Sequence, residues 1–271
     1  MEPTHDLNTD LELAVTAARA AGEAVMRYFR RDPEVRYKEP DQPVTEADLE
    51  ADRLLRSLLV GARPAYGWLS EETADSPERL GKRRVWVVDP IDGTRSFVEG
   101  RPEFSLSIGL ADAGRAVLGV VYNPATGELY HALAGGGAFR NGEPIRVAGD
   151  AAGGERQVLL ASRTEIGRGQ LDPFKEAWEV SPLGSTAYKI ARVADGSAAV
   201  FLSGGPKAEW DVCGGDVILR EAGGVLTDYA GREPAYNRPD PRRRGVIAAA
   251  ATLHGELRAR VAALAEGGGA S

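Results

Sequence analysis

The chain has a single cysteine, Cys213, so it holds no internal disulfide, which agrees with a reducing compartment. Nothing in its 271 residues approaches the ~18 to 20 consecutive apolar residues of a bilayer-spanning helix, so no membrane is expected as a partner. The opening stretch MEPTHDLNTD lacks the basic and apolar regions of a secretory signal, which makes the cytoplasm the expected location. Basic charge is also short. Lys and Arg number 33 against 40 Asp and Glu, and a net charge of −7 argues against nucleic acid as the main partner while leaving room for local basic pockets. Histidine is scarce, and His5, His131 and His254 all lie away from the acidic motifs below. No internal repeat is present, and the only low-complexity tract is the tail EGGGAS, which is expected to fray.

What remains is an ordinary globular composition, 43% hydrophobic and 27% charged, at a length that suits one large α/β unit or two joined domains; two are expected. Residues 11 to 29 place Leu11, Ala14, Ala18, Ala21, Val25 and Phe29 close to a helical period. After the turn residues EPDQP, Thr45 can cap a second helix in which Leu49, Leu54, Leu55, Leu58 and Leu59 recur on one side. Strands are predicted at 65 to 70, 84 to 89, 104 to 111, 116 to 123 and 128 to 134, the last three close enough together for an antiparallel meander, with a hairpin turn at Asn141-Gly142. Small polar residues at 149 to 154 mark a boundary between an N-terminal α+β domain (1 to 149) and a C-terminal α/β domain (150 to 271). Beyond it, strand and helix alternate as in a mixed or parallel sheet, with helices predicted near 168 to 178, from about Ser185 to Asp195, and after Trp210.

The run VWVVDPIDGTRSF, residues 85 to 97, carries the chemistry. An apolar strand stops at Asp89-Pro90, so Asp89 and Asp92 leave the sheet together with the Ile91 carbonyl between them, a set of oxygens that suits a hard divalent cation. Gly93 and Thr94 then open a short helix whose free N–H groups suit a phosphate. Taken alone, the Asp-Gly pair also reads as a simple turn, the Glu71-Glu72 pair after strand GWLS as a solvated strand end, and Asp211 in EWDVCGGDVILREAGG as a helix N-cap. Together they are specific. Cys213 reads as a buried small hydrophobe rather than a reactive thiol.

With VTEADLEAD (44 to 52), SEE (70 to 72), DPIDGT (89 to 94), the Gly-Ser-Thr at 184 to 186 and WDVCGGDVILREAGG (210 to 224) in this order, the chain resembles the inositol monophosphatase superfamily of lithium-sensitive, magnesium-dependent phosphatases over nearly its whole length. The resemblance implies a layered α/β sandwich with the active site between its two parts. It also implies two or three Mg²⁺ ions on Glu71, Asp89, the Ile91 carbonyl, Asp92 and Asp211, and a nucleophilic water oriented by Thr94 with Asp48 and Glu71 behind it. Asp48 has a rival reading, because Thr45-x-x-Asp48 is a capping pattern in its own right. The Asp-x-x-Asp spacing differs from the Asp-x-Asp expected of phosphatases that form an aspartyl phosphate.

The substrate implied is a small phosphate ester. Relatives acting on inositol phosphate usually carry a glutamate seven residues before the last metal aspartate, where this chain has Gly204. The spacing Gly205-Pro206-x-x-x-Trp210-Asp211 is similar instead to bacterial 3'(2'),5'-bisphosphate nucleotidases. In that reading Gly93, Thr94, Arg95, Ser185 and Lys189 contact substrate, with Arg95 or Lys189 on a second phosphate; both also read as ordinary surface cations. Against it, Ile91 and the SIG at 107 to 109 resemble the inositol enzymes. Fructose-1,6-bisphosphate, histidinol phosphate and nicotinamide dinucleotide phosphates are handled by other members. A purely binding or regulatory member would be expected to have lost a ligand carboxylate, and all four are here. The resemblance fits a monomer or a homodimer.

Overall fold

A computed structural model describes residues 6–31, 34–39, 42–149 and 156–267. Helix α1 (Leu7–Met26) starts where Asp6 accepts from the Asn8 amide, and its buried face is almost all alanine. Small residues let it lie close to the sheet, to the point that a Cβ on Gly22 would sit 2.5 Å from the Tyr122 ring. The helix stops three residues short of the predicted end. Phe29 nevertheless reaches the core, with its ring 5.0 Å from Phe104 and 5.6 Å from Phe97.

An antiparallel hairpin of β1 (Val35–Glu39) and β2 (Gln42–Thr45) follows, which the charged sequence VRYKE does not announce, and then α2 (Glu46–Ala62). Strands β3 (Gly67–Ser70) and β4 (Arg84–Asp92) pair in parallel, and after the five-residue α3 (Thr94–Val98) the meander β5 (Ser105–Asp112), β6 (Arg115–Asn123), β7 (Glu128–Leu133) is antiparallel as predicted. With β8 (Gly137–Arg140) and β9 (Glu143–Pro144), which turn at Asn141 and Gly142 with positive φ, these complete a seven-stranded sheet.

The second sheet contains β10 (Val158–Ala161), α4 (Arg163–Gly167) follows it, and the sequence expectation then fails. No helix spans 168 to 178. Glycines at 167 and 169, the latter at φ 71, and Pro173 leave only turns and a 3-10 turn at Asp172–Phe174, pinned by burial of Leu171, Phe174 and Trp178. Next come β11 (Glu179–Pro182), α5 (Thr186–Ala194), β12 (Val200–Ala208), α6 (Glu209–Glu221), β13 (Gly224–Thr227), β14 (Arg242–Ala250) and α7 (Ala251–Gly267). The five strands order as β11-β10-β12-β14-β13, a mixed sheet.

Three apolar clusters set the layers. One joins α1 and α2 to the outer face of the seven-stranded sheet, a second places α5 and α6 between the two sheets, and the third covers the far face of the five-stranded sheet with α7 and the Leu171–Trp178 turns. This is the layered α/β sandwich expected. The predicted boundary at 149 to 154 falls, apart from Gly149, outside the described residues, as do His5 and the tail beyond Gly267. Among the described residues no helix is long and apolar enough to cross a membrane.

Candidate metal centre and substrate cavity

Side chains alternate along a strand, so residues three apart should face opposite ways. In β4 they do not, because the ladder to β5 slips: Asp89 lies opposite Ser107 and Asp92 opposite Ser105. Three steps on one strand thus match two on the other, and this bulge turns both aspartates to the face that α5 and α6 cover. Helix α6 delivers the third carboxylate, Asp211, from its first turn. It comes unusually close to the sheet. A Cβ on Gly109 would be 2.4 Å from Cys213 Sγ, and one on Gly119 would be 2.0 Å from the Gly214 carbonyl oxygen. Cys213 is fully buried in this contact, its thiol pKa pushed up by burial, in keeping with a packing role.

Asp89, Asp92 and Asp211 each bring a carboxylate oxygen within 4.8 Å of the others. Asp92 Oδ2 accepts from Ser185 Oγ at 2.7 Å and from the Ala187 amide at 2.6 Å, at the start of α5; Asp211 Oδ2 accepts from the Ala208 amide at 2.6 Å. Ser185 holds this position at φ 57, a strained value for a residue with a Cβ. Asp89 Oδ1 accepts from the Ile91 amide at 3.1 Å, but its Oδ2 is buried without any hydrogen-bond partner. Burial and the neighbouring Glu71, Asp92 and Asp211 charges push the Asp89 carboxyl well above its ordinary value, and burial with Asp92 moves Asp211 up to about 7. An orphaned buried oxygen inside a triangle of mutually repelling carboxylates is the donor set that a hard divalent cation satisfies.

Glu71 stands at the end of β3 and lines the same cavity but lies outside that triangle, its Oε1 3.2 Å from Lys38 Nζ. Lys38 also binds Glu72 at 2.5 Å, and Glu72, part-buried with its side chain covered, is pushed up to about 7 by that desolvation. The turn carrying both glutamates is fixed from beneath, since Asp52 accepts from Ser70 Oγ and Thr73 Oγ1. Asp48 makes the capping contacts and also reaches Thr94. Its Oδ2 takes the Thr45 amide and hydroxyl, each at 2.7 Å, and its Oδ1 lies 3.0 Å from Thr94 Oγ1, which is also 3.0 Å from the Ile91 carbonyl oxygen. Burial raises Asp48 to about 6.

The metal triangle opens into a cavity of about 870 Å³. Gly93, Thr94, Arg95, Ser185 and Lys189 all line it, in differing conditions. Gly93 sits at φ 97, and a Cβ there would crowd the Glu103 carbonyl and the Ser185 amide, each 3.0 Å away. Arg95 is exposed at the rim and donates to Thr164 Oγ1 at 3.2 Å. Lys189 is 3% exposed, with its ammonium on the Leu183 carbonyl at 3.1 Å and over the Phe201 ring; burial lowers it to about 8. Lys38, Arg163, Lys207 and Arg242 also line the cavity and are absent from the sequence-derived set. Only the pairing of distant strands brings the last two together, so no local signal marks them.

The model of the inositol monophosphatase family matches residues 6–268. An inositol-1-monophosphatase of Mesorhizobium japonicum is 38% identical, over 82% of this chain and 86% of that protein. A 3'(2'),5'-bisphosphate nucleotidase CysQ of Aggregatibacter actinomycetemcomitans is 31% identical over 87% and 88%. The solved Thermotoga maritima IMPase superposes with a TM-score of 0.82 at 30% identity, covering 94% of this chain and 98% of that one.

Proposed function

The chain belongs to the inositol monophosphatase family, whose members hydrolyse phosphate monoesters, and from that premise we propose that it is a Mg²⁺-dependent 3'(2'),5'-bisphosphate nucleotidase acting through water. The observation that carries the metal part is the unpartnered Asp89 oxygen within reach of Asp92 and Asp211. These three hold the cation, with Glu71 and the Ile91 carbonyl completing its surroundings. When bound, Mg²⁺ supplies positive charge against the phosphate oxygens and lowers the pKa of an adjacent water. Thr94 accepts a hydrogen bond from the attacking water while turning its own proton toward Asp48, whose other oxygen is anchored by Thr45. Phosphoryl transfer depends mainly on positioning and charge, so it is no obstacle that no histidine is among the described residues lining the cavity.

For the substrate, the cationic side chains lining the cavity support an ester that carries a second phosphate, and Gly204 offers no carboxylate to ring hydroxyls. A cationic substrate such as histidinol phosphate is disfavoured by the same charges. The higher identity of the inositol-1-monophosphatase relative favours a second reading, inositol 1-phosphate. Phosphate release from adenosine 3',5'-bisphosphate and from inositol 1-phosphate at saturating Mg²⁺, with Asp89→Asn as control, decides between them. A ten-fold or larger preference in kcat/KM for the nucleotide, about 1.4 kcal/mol, supports the first reading. The opposite preference establishes the second, and release unaffected by Asp89→Asn overturns the metal assignment.

A further inference from the structure

The cations around the cavity differ in what already occupies them. Lys38 is held between Glu71 and Glu72, Arg101 pairs with Glu99 at 2.7 Å, and Arg163 spans both oxygens of Glu103 at 2.5 and 2.7 Å. Lys189 is buried on a carbonyl, as described. Lys207 is different. Its ammonium donates to the carbonyl of Pro206, its own neighbour, at 3.2 Å and makes no salt bridge among the described residues, although the Glu165 and Asp211 carboxylates are near enough to feel its charge.

Its backbone is firmly placed. Glu165, 7% exposed, accepts with one oxygen from Ser203 Oγ at 2.8 Å, the Gly204 amide at 2.9 Å and the Gly205 amide at 3.3 Å, and with the other from Ser162 Oγ at 2.6 Å. That clamp fixes the irregular stretch of β12 just before Lys207, where the ladder to β14 slips between Ser203 and Pro206. After the slip, Lys207 lies opposite Arg243 and Ala208 opposite Arg242, so Lys207 and Arg242 stand on adjacent rungs whose side chains leave the ladder toward opposite faces, and what they share is the cavity at this end of the strands. Both line the catalytic cavity together with Asp211. Arg242 also lines an adjoining cavity of about 360 Å³ that Arg238, Arg243 and Arg244 share, so positive charge continues behind this wall.

We propose that Lys207 and Arg242 form the subsite for a second phosphate on the substrate, and so set the preference for bisphosphates over monophosphates. The inference rests on the phosphomonoesterase reading above and replaces Lys189 and Arg95 as the residues that recognise the second group. Desolvating a phosphate is costly unless charged donors replace its water, and an ammonium without a carboxylate partner gives up no ion pair to do so.

The test compares two substrates that share the ester to be cleaved, adenosine 3',5'-bisphosphate and adenosine 3'-phosphate, on wild type, Lys207→Ala, Arg242→Ala and Lys207→Arg at saturating Mg²⁺. The readout is the ratio of the two kcat/KM values within one preparation, which is independent of the fraction of enzyme that folded. Expected is a wild-type ratio above ten, a fall of ten-fold or more in each alanine variant carried by KM for the bisphosphate, and a ratio within about three-fold of wild type in Lys207→Arg. A ratio unchanged by both alanine substitutions, with phosphate still released, overturns the subsite and leaves the phosphatase reading standing. Failure of wild type to release phosphate from either nucleotide overturns the nucleotidase reading and the subsite with it.

Discussion

The two walls of the cavity are built to different standards. On the side of the seven-stranded sheet, each aspartate is buried or nearly so, takes at least one backbone amide, and sits where a helix touches a sheet with no room for a methyl group. On the side of the five-stranded sheet, Gly204, Pro206 and Arg242 are exposed, and Lys207 reaches only a main-chain carbonyl. The first wall tolerates one arrangement, whereas the second can change its side chains without disturbing the core. A family that keeps one reaction while varying its esters needs that division, because chemistry fixes the carboxylates but only shape and charge fix the rest of the substrate.

The comparison breaks most visibly at Asp89. Asp89→Asn replaces the unpartnered oxygen with an amide in a site that then lacks one negative charge, and kcat/KM should fall by about 10³-fold or more, on the order of 4 kcal/mol. The fold should survive, because relieving carboxylate repulsion favours the metal-free state. A melting curve with chelator that shows equal or higher Tm, together with lost activity, is the expected pair of results; a large drop in Tm would mean that Asp89 holds the fold rather than the cation.

Next is Gly119→Ala. Its Cβ would be 2.0 Å from a helix carbonyl, so α6 has to move outward, at a cost of about 1 to 3 kcal/mol from overpacking. Asp211 rides on that helix, so the apparent Mg²⁺ affinity should weaken along with Tm. Weakened affinity with an unshifted Tm, or the reverse, would separate the helix contact from the metal geometry and contradict this account.

A smaller effect concerns pH. In the metal-free protein Asp211 titrates near 7 and Asp89 is also raised, whereas an unfolded aspartate titrates near 3.9. Between those values the folded state binds more protons than the unfolded one, so its stability falls as pH rises through that window. Asp48, at about 6, and Glu72, at about 7, act in the same direction. Mg²⁺ needs the ionised carboxylates and displaces their protons. The difference in Tm between saturating Mg²⁺ and chelator should therefore grow from pH 5 to pH 8, and taking a difference cancels distant groups such as His131 and His254, whose pKa values burial lowers. A difference that shrinks with rising pH would place the metal elsewhere.

The same division explains what the sequence discloses. Asp89, Asp92 and Asp211 are legible because each lies within a few residues of a strand end or a helix start, although β4 does not stop at Asp89-Pro90 as expected but continues past an irregularity to Asp92. Their common face is not, since it comes from a one-residue slip against Ser105 and Ser107 in the next strand. The helix predicted at 168 to 178 has apolar residues in plausible places, but Gly169 and Pro173 prevail over spacing. Neither β14 nor α7 is announced, because RRRGVIAAA divides into a charged and a small-residue half without the alternation of a half-buried strand. Lys207 and Arg242 are 35 positions apart and reach one cavity only because β12 pairs with β14, to which composition is blind. Lys38 stays hidden for a related reason, on a hairpin whose residues look like a linker.

The smallest expected effect is on the permissive wall, and it is the sharpest control for Gly119. Gly205 also lies in a strand, and its amide also serves a buried carboxylate, Glu165, yet a Cβ there meets nothing closer than 3.8 Å and its φ is not in the left-handed region. Alanine at such a position narrows the unfolded ensemble without straining the fold, so Gly205→Ala should leave Tm level or raise it by the equivalent of about 0.5 kcal/mol. Mg²⁺ affinity should not move, because the one contact of a ligand aspartate with this strand, Asp211 on the Ala208 amide, lies three residues further on and a Cβ at Gly205 does not reach it. If Gly205→Ala instead destabilised the protein as much as Gly119→Ala, the Glu165 clamp would be as intolerant as the helix–sheet contact, and the contrast between a fixed catalytic wall and an adaptable substrate wall would have to be given up.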